Sequence, residues 1–179
     1  MNKSMKISIT AFAVLIGTIA VQMPSYAASS KTPIIPVLKN PIVNTSTKVG
    51  FTILAAQVED NTNPKNGVDI SDRLALKVRN TSSKAISSFE IYYTMVDRVT
   101  KSSESYYQKL SNFSIPANSI GYIDFDNAKG FGHFPENKYS IYRNSKNKVS
   151  FKIELSALGL KPAYARAMKS KGTTEDPNG

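Results

Sequence analysis

In the run "FEIYYTMV", Phe89, Ile91, Tyr93 and Met95 alternate with Glu90, Tyr92, Thr94 and Val96. A period of two fits an extended strand that turns one face to a core and the other away. The period recurs in "RLALKVRN", where Leu74, Leu76 and Val78 oppose Arg73, Ala75, Lys77 and Arg79. It recurs again in "KVSFKIEL", where Val149, Phe151, Ile153 and Leu155 oppose Lys148, Ser150, Lys152 and Glu154. "GFTILAAQV", "SESYYQKL" and "SIGYIDFD" predict further strands, and clusters such as "NTSSK" supply the turns. The pattern predicts an all-β fold: an Ig-like or jelly-roll-like antiparallel β-sandwich in a single domain. Burial of one face of each strand, at ~25 cal/mol per Å², is the main stabilising term open to such a chain.

The segments flanking this pattern predict other roles. "MNKSMK" is a basic start, "ISITAFAVLIGTIAV" an apolar stretch, and "SYA" puts small Ser25 and Ala27 at cleavage positions. Residues 1–27 therefore predict a signal peptide, and the protein is expected to be secreted, extracellular or in the cell envelope. The apolar stretch is too short for a membrane span, and none is expected after cleavage. Residues 28–48 carry Pro33, Pro36 and Pro41 among Ser and Thr, the composition of an extended arm or linker. The sandwich is expected over 49–160. Residues 161–179 are expected to be a polar tail, with a short helix over "PAYARAMKSK" and then disorder.

Charge and cysteine content narrow the chemistry. The chain has no cysteine, which removes disulfides, thiol catalysis and zinc–thiolate sites, so the fold must rest on its apolar core. Loss of Lys3 and Lys6 with the signal leaves 21 basic against 13 acidic groups, a balance of +8. Outside the cell such a surface meets cell-wall polymers and acidic polysaccharides rather than nucleic acid.

Over residues 72–126, "LALKVRNTSSKAISSFEIYYTMVD" and "FSIPANSIGYIDFD" resemble bacterial Ig-like and carbohydrate-binding sandwich modules, the cellulose-binding kind in particular. The resemblance implies a non-catalytic module with a sugar-binding face. The chain departs from it in having no tryptophan, which argues against crystalline cellulose. It is also similar to other secreted bacterial proteins with a Tyr-rich middle and a His-Phe-Pro corner.

Four sets of residues are candidates for function. His133, the only histidine, lies in "GFGHFPENKYSIY", either a sandwich corner or a contact loop. No "GxSxG" elbow accompanies it, so a catalytic triad is not expected. Asp124 and Asp126, about 7 Å apart on one strand face, form a candidate calcium pair that Asn127, Glu136 and Asn137 would complete. The same pair would serve a hydrolase only if the fold set them across a cleft. Tyr92, Tyr106, Tyr107, Tyr139 and Tyr142 offer rings for sugar stacking. Arg73, Lys77 and Arg79 share one strand face and Lys148 and Lys152 another, and neighbouring strands would join them into a basic stripe. The expected function is thus a secreted, non-catalytic binding module for carbohydrate or anionic cell-wall polymer, with no cofactor unless calcium is bound. The alternatives are an adhesion module contacting protein and, third, a hydrolase. Intact mass of the exported protein should show a chain beginning at Ala28; a cell-bound product retaining Met1 would overturn the secreted assignment.

Overall fold

The computed structural model describes residues 34–59 and 73–172. The expected signal peptide lies outside them, as do 28–33 of the arm and the last residues of the tail. The alternating runs become β1 (Phe51–Glu59), β2 (Arg73–Asn80), β3 (Phe89–Asp97), β4 (Ser103–Lys109), β5 (Ile120–Phe125) and β7 (Val149–Ala157). To these the fold adds a two-residue β6 (His133–Phe134), a single helical turn α1 (Ile141–Asn144) and β8 (Leu160–Lys169). One sheet has the order β1-β2-β5-β6, the other β4-β3-β7-β8. Pairing is antiparallel except for β5 with β6. The all-β sandwich is borne out.

The period of two explains the packing. Along β3, every second residue from Phe89 to Asp97 is buried. The inward residues of the two sheets meet in one core, with Phe51 edge-on to Phe89 at 5.4 Å and Phe125 beside Tyr93 at 5.6 Å between ring centroids. These separations suit edge and tilted aromatic pairs.

The crossing from β2 into the other sheet is held by Asn80, which is fully buried. Its amide nitrogen donates to the carbonyls of Lys84 (2.8 Å), Ile115 (2.9 Å) and Pro116 (2.9 Å). Its side-chain oxygen accepts from the Ser82 backbone N–H and hydroxyl, both at 2.8 Å. One side chain thus satisfies the turn that leaves β2 and the segment that enters β5. The bridge between Ile86 and Ile115 closes beside it. The "NTSSK" cluster is therefore more than a turn signal.

The C-terminal helix is a wrong expectation. Residues 160–169 form β8, paired with β7 from Val149–Lys169 to Ala157–Leu160. The sandwich accordingly extends to Lys169 instead of ending at 160. Ala, Arg, Met and Lys favour helix in isolation, but the edge of the sheet overrides that preference. Ala163, Ala165 and Ala167 pack towards the core, while Tyr164 and Met168 stay exposed. Pro162 is tolerated because β8 is an edge strand of its sheet among the described residues.

Residues 34–48 have no regular secondary structure. Val37 N–H donates to Ser105 O on β4 (2.7 Å), and the Asn40 amide donates to Glu154 on β7 (2.8 Å). The Asn44 amide then donates to Ser156 Oγ and to the carbonyls of Ala157 and Leu160. The arm therefore crosses the outer face of the β4-β3-β7-β8 sheet. Asn80→Ala should destabilise the domain by about 3 kcal/mol, because it strands several buried backbone groups at once. Urea denaturation with an unchanged slope would report it; a loss below about 0.5 kcal/mol would remove Asn80 from this role.

Candidate functional site

The "GFGHFPENKYSIY" stretch carries the chain from one sheet to the other along the side formed by β6 and β4. Gly132 has φ +86°, and a Cβ there would lie 2.7 Å from Tyr122 O, so this position needs glycine. That close approach lets β6 pair with the end of β5, opposing His133 to Asp124 and Phe134 to Phe125. The following residues are stitched to β4: Gln108 Nε2 donates to Pro135 O (2.9 Å), the Asn137 amide to Tyr106 Oη (3.1 Å), and Ile141 N–H to Glu104 Oε2 (3.0 Å). Tyr106 Oη donates to the same Glu104 oxygen at 2.8 Å. Burial and this carboxylate push the Tyr106 phenol well above its usual pKa. Glu136 and Arg143, both buried, form an ion pair through Oε1, with Nε at 2.7 Å and Nη2 in contact. A pair removed from water in this way fixes geometry more than it adds stability.

Asp97 and Lys169 anchor the far end of the segment. Asp97, at the end of β3, accepts from Ser145 Oγ, from Asn147 Nδ2 (3.0 Å) and from the N–H groups of Val99 (2.8 Å) and Thr100 (2.9 Å). These bonds, the Ser145 hydroxyl first, hold its carboxyl far below the usual range. Lys169 is buried and donates to Tyr142 O (2.8 Å) and Ser145 O (2.9 Å) at the C-terminal end of α1.

This geometry answers several expectations. His133 Nδ1 lies 2.8 Å from Asp126 Oδ2, and Asp126 Oδ1 accepts from Ala128 N–H. Asp126 is thus committed to the β6 corner, while Glu136 and Asn137 turn to Arg143 and Tyr106. The calcium set does not assemble, and among the described residues no group of three or more acids or histidines could hold a metal ion. Among the described residues no hydroxyl is hydrogen-bonded to His133 Nε2. Tyr106 and Tyr142 are core residues, corrections to their place among stacking rings: Tyr106 stacks on Tyr93 at 5.5 Å and Tyr142 packs against Phe151 at 5.7 Å. The signal for Tyr106 was present in the sequence, since one member of each Tyr-Tyr pair had to face inward.

The outward tyrosines Tyr92, Tyr107 and Tyr164 do align across the β4-β3-β7-β8 sheet, through the register Tyr107–Tyr92–Glu154–Tyr164. The arm reaches this row at Glu154, and Tyr107 Oη donates to Glu90 at 2.7 Å. Burial and that carboxylate push the Tyr107 phenol up to about 12. Tyr92 and Tyr107 are half-buried, and Tyr139 is exposed on the closing segment.

The basic residues fall on separate sheets, so no continuous stripe forms. Lys152 opposes Arg166 on one sheet, whereas Lys77 and Arg79 project from the outer face of β2 on the other; the side chain of Arg73 lies outside the described residues. Lys77 Nζ lies 5.9 Å from the centroid of Tyr122, its register partner on β5. Arg79 opposes Ile120. Tyr122 (57% exposed), Ile120 (40%) and Leu54 (48%) keep this face open to solvent. Sequence reasoning did not single out Tyr122 for stacking, although its alternation with Ile123 was visible.

No family model matches the chain, and no curated protein matches it. Among solved structures it is similar to Spo0M, a sporulation control protein from Bacillus subtilis, with 12% identity and a TM-score of 0.29. That overlap covers 72% of this chain and 49% of the other. It is also similar to a GH20 exo-β-N-acetylglucosaminidase from Vibrio harveyi, solved with N-acetylglucosamine, with 14% identity and a TM-score of 0.21. Here the overlap covers 73% of this chain and 19% of the other. The chain thus spans about half of the first protein and about a fifth of the second.

The depressed Asp97 carboxyl fixes a pH dependence. Its bonds stabilise the fold above the unfolded carboxyl pKa of about 4 and are lost as pH falls towards the lower folded value. Asp97→Asn should be less stable than the parent at neutral pH, with a gap that narrows below about pH 4. Chemical denaturation at a series of pH values checks this; a gap independent of pH would exclude the carboxylate as its source.

Proposed function

We propose that this protein is a secreted, non-catalytic binding module whose ligand is an anionic, sugar-based polymer of the cell wall or surface. The observation that carries this reading is the open β2–β5 face, where Lys77 stands over the exposed Tyr122 ring and Arg79 follows two residues along. An ammonium and a guanidinium recognise phosphate or uronate groups, the guanidinium with two parallel donors. A tyrosine ring beside them offers the flat apolar surface on which a sugar stacks. The +8 balance expected of the mature chain adds long-range attraction to a polyanion. Exposed Leu54, Ile120 and Phe131 favour a second reading, an adhesion module that contacts protein.

Binding to purified cell wall should weaken steeply from about 0.1 M to about 1 M salt, as the Debye length falls from about 10 Å to about 3 Å. The double substitution Lys77→Gln and Arg79→Gln should weaken retention by about tenfold at low salt without changing stability, because inward Leu76 and Val78 are untouched. Tyr122→Ala should weaken it at both salt concentrations. Pull-downs on intact wall and on wall stripped of anionic polymer measure these effects. Equal retention on both would remove the anionic ligand, and no retention on either would favour the protein-contacting reading.

A further inference from the structure

A second site lies at one end of the sandwich, away from the Lys77–Tyr122 face. The β2–β3 connection, the β4–β5 connection, the arm over 43–46 and the β7–β8 turn enclose an open groove of about 910 Å³. Beneath it lie the buried core residues Phe89, Leu110 and Phe113, and the apolar side chains that reach solvent around it are Val43 and Leu158. Its rim is made of small polar side chains, Ser87, Ser88, Ser111, Asn112 and Ser114. None of these five side chains hydrogen-bonds to another described residue, in contrast to Asn80 or Asn44. Two of them sit on left-handed backbone, Ser88 at φ 56° and Asn112 at φ 61°. For serine that conformation costs about 1 kcal/mol, and residues held so cluster at ligand sites.

The charges are balanced. Glu90 and Lys109 are the charged residues lining the groove, and Glu90 is already held by Tyr107. A net-neutral rim of hydroxyls and an amide, groups that both donate and accept, complements a ligand whose own groups do the same. The exposed aliphatic side chains of Val43 and Leu158, which line the same groove, suit the apolar faces of sugar rings.

We propose that this groove is a distinct binding site for a neutral oligosaccharide, separate from the basic face. The side chains of Ser88 and Asn112 supply hydrogen bonds, and Val43 and Leu158 supply the apolar contact. Glycine keeps the left-handed backbone at both positions while deleting the polar groups, so the double substitution Ser88→Gly and Asn112→Gly is a test that spares the fold.

Amide NMR spectra of the protein, titrated with cellohexaose, chitohexaose and maltohexaose to about 10 mM, would report the site, since affinities in the millimolar range remain visible there. The expected result is that at least one of the three shifts the amides of 87–88 and 110–114 and leaves those of 77–79 and 120–122 in place. The glycine variant should then bind that sugar at least about tenfold more weakly, the equivalent of two modest hydrogen bonds. No shift with any of the three would overturn the proposal. So would shifts confined to the Lys77–Tyr122 face, or binding that the glycine variant leaves unchanged. Because these probes are uncharged, their failure leaves the anionic-polymer reading intact, and high-salt loss of wall binding leaves the groove untouched.

Discussion

A sandwich needs its chain to leave one sheet and enter the other without stranding backbone polar groups, and here that requirement is met by the buried amide of Asn80. It bonds three carbonyls and accepts two donors from Ser82. Unpaired, each of those groups would cost on the order of 1–3 kcal/mol. The amide therefore sets where β2 ends, how the chain turns towards β3 and how closely the β4–β5 segment approaches. The two connections that it ties together also bound the end groove, so the same constraint shapes the fold and the cavity.

The opposite side of the sandwich is closed in a different currency. Between β6 and β7 the chain lays a buried ion pair, Glu136–Arg143, and a chain of bonds through Asn137, Tyr106 and Glu104 against the inner face of β4. Polar groups here are numerous but interlocked, which is how a buried network avoids being a liability. His133 is the visible edge of that closure. Its bond to Asp126 pins the parallel β5–β6 pair, a structural duty.

The two outer faces differ as a result. The arm uses Asn40 and Asn44 to lie on one sheet, so the tyrosine row there is partly occupied by the chain's own residues. The other sheet presents Lys77, Arg79 and Tyr122 to solvent. Basic and exposed aromatic side chains thereby share one face, while small neutral polar groups gather at the end groove.

Local pattern determined the strands, because a period of two admits a single way of burying Leu74, Leu76 and Val78 or Val149, Phe151, Ile153 and Leu155. It also determined which side of β2 carries Lys77 and Arg79. That Lys152 lies on the other sheet from them emerges in the folded chain, since strand neighbours are fixed by long-range pairing and not by local pattern. The same holds for β8. Its alanines and basic residues carry a helical preference worth tenths of a kcal/mol per residue, and the free edge of β7 outweighed it. Glu136 and Lys169 were not legible as core residues, because a buried polar group is stable solely beside partners that the fold brings to it. The end groove was invisible for the same reason: its serines and Asn112 are ordinary turn residues until four separate segments bring them to one rim.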